Sequence, residues 1–126
     1  MDITAKIKEL KTRPDFADRV GMILIHNGVV RGWSRKDRAD VESLEVSPNY
    51  QKIEALRKEF LLCDGIFEIL IEAESGILRP GDDLLHIVVA GDIREHVKPV
   101  LSELLERIKS EAVVKKEKVP DRLRRP

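Results

Sequence analysis

Apolar residues recur along this chain in two rhythms, one helical and one extended, separated by turn-forming segments. Ile3, Ile7 and Leu10 stand at helical spacing in a lysine-rich stretch, which predicts a short amphipathic helix stopped by Pro14. From Val20 to Val30 the run Met22-Ile23-Leu24-Ile25 is continuously apolar and suits a strand covered on both faces, with Gly28 marking a bulge. The polar, basic stretch Arg31 to Arg38 then leads to a short strand at Val41 to Val46, so two antiparallel strands joined by a basic loop are expected. Ser47-Pro48 supplies a helix start, and Ile53, Leu56, Phe60 and Leu61 form one apolar stripe that runs to about Leu62.

The second half repeats the pattern. Ile66 to Ala73 reads as a strand, and the turn Pro80-Gly81-Asp82-Asp83 links it to another at Leu84 to Ala90, a second hairpin. Asp92 and Glu95 have the spacing of a capping box. Behind them Ile93, Val97, Val100, Leu101, Leu104, Leu105 and Ile108 follow at helical intervals. Pro99 lies inside that helix and predicts a kink or a late start. Ala112 to Lys118 suggests a last strand, and the basic, proline-containing tail Val119 to Pro126 is expected to be poorly ordered unless a partner holds it. The order α-β-β-α-β-β-α-β places the chain in the α+β class, a mostly antiparallel sheet with hairpins and two main helices, with residues 1–118 as a single domain.

Composition narrows the chemistry. The 23 basic and 23 acidic side chains cancel, so attraction to anions has to be local rather than a property of the whole molecule. With 42% hydrophobic and only 4% aromatic residues, the core must be built from Ile, Leu and Val. Cys63 is the single cysteine, which excludes an intramolecular disulfide and favours the reducing cytoplasm; in the run Phe60 to Cys63 it reads as a small buried hydrophobe. No stretch is apolar enough to span a membrane, and Met1 to Lys11 lacks a signal-peptide apolar region. His26, His86 and His96 share no metal-ligand spacing, so no metal is expected, and the two in strands read as hydrogen-bonded structural histidines.

What remains is cationic. Arg31 follows the first strand, Arg94 opens the last helix, and Lys109, Lys115 and Lys116 surround its far end. A lone Lys109 would be explained by its favourable position at the carbonyl end of the helix dipole. Clustered ammonium groups, however, depress one another's pKa and make a lysine useful in proton transfer or nucleophilic attack. Trp33 with Arg31, Arg35, Lys36 and Arg38 also combines a stacking surface with phosphate-seeking charge, although a solvated loop explains the same residues, and nucleic acid is not expected as a partner.

From about Gly21 to Glu117 the sequence resembles the large, catalytic subunit of molybdopterin synthase, the MoaE family. Gly21 to Ile25 followed by Gly28-Val29-Val30-Arg31 is similar to that family's first core strand, which ends in Gly-x-Val-Arg. Gly76-Ile77-Leu78-Arg79-Pro80-Gly81-Asp82 is similar to its Gly-x-Leu-x-x-Gly-Glu hairpin, and Arg94 takes the arginine of its Ala-His-Arg helix start. The resemblance implies an α/β-hammerhead-like fold and a sulfurtransferase. It would move sulfur from the thiocarboxylated Gly-Gly tail of a small ubiquitin-like carrier subunit to a cyclic pyranopterin phosphate, without a cofactor, as a homodimer within a heterotetramer. It implies Lys109 and Lys116 as catalytic residues and Arg31, Arg94 and Lys115 as substrate-binding ones. The Lys-Lys-Glu pattern would instead align the second family lysine with Lys115, and in a strand the two neighbours point to opposite faces, so one of them enters the pocket. Four family residues are replaced: the Pro and Trp of Pro-x-Trp by residues within Ala112 to Val114, and two histidines by Ile93 and Ala73. The alternative is a protein that binds the carrier tail without turnover.

Overall fold

The computed structural model describes residues 1–120. Its elements are α1 (Ile3–Lys11), α2 (Phe16–Arg19), β1 (Met22–Val29), β2 (Ser43–Pro48), α3 (Tyr50–Leu61), β3 (Ile66–Ala73), β4 (Gly76–Leu78), β5 (Asp83–Gly91), α4 (Arg94–Glu111) and β6 (Val113–Lys118). The tail expected from Val119 lies, beyond Pro120, outside the described residues.

Two antiparallel three-stranded sheets make up the α+β architecture, β1-β5-β3 and β4-β2-β6. The expected first hairpin does not form. β1 pairs with β5 from Met22↔Gly91 onward, while β2 lies between β4 and β6. Burial explains the separation. β5 is buried on both faces and takes the centre of its sheet, with the apolar first half of β1 beside it, whereas β2 alternates buried Leu44 and Val46 with exposed Glu45 and suits a sheet covered on one side. β3 and β5 do run antiparallel, but their connection carries β4 instead of forming a simple hairpin. A register shift between Gly28 and Val29 supplies the expected bulge.

The main core lies between the β1-β5-β3 sheet and helices α3 and α4. Leu56, Phe60, Ile69, Ile87, Val89, Val97, Leu104 and Ile108 meet there, the last two fully buried on the sheet-facing stripe of α4. Leu10 of α1 joins Phe67, Val88 and Ala90 on the opposite face, where Phe16 meets Phe67 edge-on at 5.9 Å. Ion pairs tie the two long helices together at the surface: Arg107 bridges Glu59 of α3 and Glu111, and Lys52 reaches Glu111 at 3.3 Å.

Several local expectations are corrected. Asn49, not Ser47, caps α3 by accepting the Lys52 N–H at 3.0 Å, and Pro48 remains in β2. Helix α4 starts behind Ile93 without a side-chain cap, because Asp92 instead accepts the Ile93 N–H at 2.6 Å and contacts His96 Nδ1 at 2.8 Å. The helix runs from Arg94 through Pro99 to Glu111 as one element. Cys63 is exposed in the turn after α3, beside Leu62 at 87% exposure, since the apolar stripe of that helix ends at Phe60. His86 is buried, yet its Nδ1 has no hydrogen-bond partner among the described residues and its Nε2 is 3.7 Å from Asp83. No helix among the described residues is long and apolar enough to cross a membrane.

Candidate active site: a cationic cleft where the two sheets meet

The last turn of α4 decides where charge collects. Buried Ala112 ends the helix, its N–H donating to Ile108, and its carbonyl accepts the Asn49 N–H at 2.7 Å, so the chain reverses at once into β6. This reversal puts Lys109 and β6 on either side of a cleft of about 510 Å³, whose remaining walls come from the ends of β1, β2, β3 and β5. The floor is apolar, with Val30, Leu44, Val46 and Leu85, and the rim is charged, with Arg31, Arg35, Lys109, Lys115 and Glu117.

Strand parity selects which β6 residues enter. Leu44, Val46 and Pro48 of β2 stand opposite Glu117, Lys115 and Val113, while exposed Glu45 stands opposite Lys116. Lys115 and Glu117 therefore share the cleft face with the buried β2 residues, and Lys116 lies on the other face with Glu45. Burial of its ammonium end depresses the Lys115 pKa, and the positive charges of Lys109 and Arg31 add to that. Glu117 acts against it and is itself held by the Ser34 hydroxyl at 2.9 Å.

The loop between β1 and β2 positions the arginines. Trp33 bridges to Asp40 across the loop, and the guanidinium groups of Arg31 and Arg38 lie 4.9 and 4.1 Å from its ring centroid. The indole thus holds Arg31 at the rim, and its ring already has cationic partners where a base would have to stack.

Of the five candidate site residues, Arg31, Lys109 and Lys115 converge on the cleft and Arg94 and Lys116 do not. Arg94 begins α4 and Lys109 lies in its last turn, fifteen positions on, a separation of about 22 Å at 1.5 Å per residue. Its exposed side chain contacts Glu95 at 3.3 Å. Three cleft residues were not singled out from sequence. Arg35 looked like a solvated loop residue, Glu117 like part of a charge run, and His26 like a structural histidine. For His26 a signal was available, because Leu24, His26 and Gly28 share strand parity and the first of them faces the main core.

The model of the family described as MoaE protein matches residues 1–111. The chain belongs to the MoaE family. It takes the part of the molybdopterin synthase large subunit in molybdenum cofactor biosynthesis. No curated protein matches the chain significantly. Among solved structures, molybdopterin synthase from Staphylococcus aureus is similar with a TM-score of 0.71 at 24% identity, over 82% of this chain and 78% of that one. The MoaE protein from Burkholderia ambifaria gives 0.72 at 20% identity, over 95% and 81%. A protein–protein complex of subunits 1 and 2 of the molybdopterin-converting factor from Helicobacter pylori contains a chain similar at 0.66 and 15% identity, over 100% and 88%. At these identities the likeness establishes a shared fold.

Proposed function

We propose that this MoaE chain is the catalytic sulfurtransferase subunit, which moves sulfur from the thiocarboxylate of a small ubiquitin-like carrier to a cyclic pyranopterin phosphate. The observation that carries this reading is the convergence of Arg31, Lys109 and Lys115, with Arg35 beside them, on one cleft with an apolar floor. Both reactants are anions, and fixed cations over a low-dielectric floor stabilise anions more strongly than the same charges in water. Arg31 and Arg35 suit bidentate binding of phosphate or carboxylate. Lys109 is the lysine assigned to the reacting carbon, and Lys115, with its depressed pKa, serves beside it in place of Lys116.

The carrier's extended Gly-Gly tail has a route in. β6 pairs with β2 on one side, and its other edge offers backbone groups along the lip of the cleft. Arg94 contributes to substrate binding only when a second copy brings it to the cleft, which the homodimer within a heterotetramer would allow.

A second reading, a protein that holds the carrier tail without turnover, is favoured by the replacement of family residues at Ala73, Ile93 and Ala112 to Val114. One assay separates the two: the protein is mixed with thiocarboxylated carrier and cyclic pyranopterin monophosphate, and molybdopterin is measured. Product that falls by at least about 10²-fold in Lys109→Ala supports transfer at this cleft. Undiminished product in that variant overturns the assignment, and carrier binding without product in the unaltered chain establishes the second reading.

A further inference from the structure

An imidazole stands in the same cleft with no role in the reading above. His26 of β1 lines the cavity together with Ala73 and Lys109, is half-buried, and makes no hydrogen bond with its ring among the described residues. Room for it is made by a glycine: a Cβ at position 28 would come within 2.9 Å of His26 Nε2. A histidine in a sheet that makes no structural hydrogen bond and points into a substrate-sized cavity has no evident structural task. Ala73 of β3, where the family carries a histidine, lines the same cavity without an imidazole.

Resting on the sulfurtransferase reading, we propose that His26 is the general base that activates the water which releases the carrier. Atom balance requires such a step. Once the carrier's sulfur has bonded to the pterin carbon, the carboxyl carbon is still joined to that sulfur. The oxygen of a water molecule bonds to the carboxyl carbon as one of its protons passes to an imidazole nitrogen of His26. The carbon–sulfur bond then breaks with its electron pair remaining on the pterin sulfur, and the carrier departs as a carboxylic acid that ionises in solvent. The imidazolium afterwards returns its proton to water.

The surroundings suit a base rather than an anion holder. Lys109 of α4 and Lys115 of β6 line the same cleft as His26, with Glu117 of β6 also on its wall, and the charges that act on the ring are those of Lys109, of His86 on the other face of the sheet, and of Lys115. Burial first and these charges second hold its pKa below the ordinary histidine value, so the ring is neutral at pH 7. The guanidinium groups of Arg31 and Arg35 on the rim are donors only and suit the holding of an anion.

The test uses the full chain with thiocarboxylated carrier and cyclic pyranopterin monophosphate. In His26→Gln, molybdopterin formation is expected to fall by about 10²-fold or more. The carrier–pterin adduct joined through sulfur should accumulate, detected by intact-mass measurement, and the acidic limb of the pH–rate profile should disappear. Carrier binding and the thermal midpoint serve as folding controls, and His26→Ala with added imidazole, which should restore turnover, replaces the first variant if that one does not fold. An unaltered rate and profile in a folded variant, or a slow variant without adduct and without imidazole rescue, overturns the role of His26 while leaving the sulfurtransferase reading in place. Absence of product from the unaltered chain overturns both.

Discussion

Adding one methyl group at Gly28 should leave the stability of the fold nearly unchanged and adding one at Gly91 should lower it, because the two methyls meet different neighbours. At Gly28 the new carbon approaches His26 Nε2 at 2.9 Å, the tip of a side chain that can rotate away, and the Leu85 carbonyl at an ordinary 3.5 Å. Its backbone does not have positive φ, so alanine fits without strain. Lower chain entropy in the unfolded state contributes about 0.4–1 kcal/mol in favour of Gly28→Ala, and moving the imidazole costs a similar amount. The thermal midpoint should therefore stay within about 4 °C of the parent, at roughly 4 °C per kcal/mol for a chain of this length. Sulfur transfer should nevertheless fall, since the imidazole is displaced from the cleft. At Gly91 the methyl would sit 2.7 Å from both the Gly65 carbonyl and Val97 Cγ2, one backbone and one packed under α4. Neither can yield without moving a sheet edge or a helix, so Gly91→Ala should cost about 1–3 kcal/mol or more and lower the midpoint by about 4–12 °C. Thermal unfolding of both variants followed by circular dichroism, with the transfer assay alongside, checks the pair. Equal destabilisation by the two substitutions, or full sulfur transfer in Gly28→Ala, would refute the reasoning.

Three further outcomes are expected. Leu104→Ala removes a fully buried side chain from the α4 stripe and should destabilise the fold by about 3–5 kcal/mol in chemical denaturation. Acid should weaken the α3–α4 junction: Arg107, then Lys52, hold the Glu111 carboxyl down to about 2 against its ordinary 4.5, so its contribution is complete above pH 4.5 and disappears as the pH falls toward 2. Glu111→Gln should flatten that part of the stability–pH curve, and an unchanged curve would remove Glu111 as its source. Binding of inorganic phosphate, followed by calorimetry, should weaken in Lys115→Met and in raised salt, while Lys116→Met binds as the parent does, because parity turns its ammonium to the other sheet face.

Much of the local architecture is written in the order of residues. The stripe from Val97 to Ile108 specifies α4 and the face it buries, a continuous apolar run marks β5 as a strand covered on both faces, and the alternation in Leu44 to Val46 marks β2 as half-covered. These are properties that a residue shares with neighbours a few positions away, so periodicity reports them directly. The cation clustering of Lys109 with Lys115 is local in the same sense. Pairing between strands is not. Whether β1 meets β2 or β5 depends on which distant surfaces bury the most apolar area together, and no short window contains that comparison. Tertiary structure therefore placed Arg35 and Glu117 at the cleft beside His26 and chose Lys115 over Lys116 through the register of β6 on β2, whereas the helix length that separates Arg94 from Lys109 was already legible in the sequence. Periodicity names the buried face of each element, but only packing decides what that face meets.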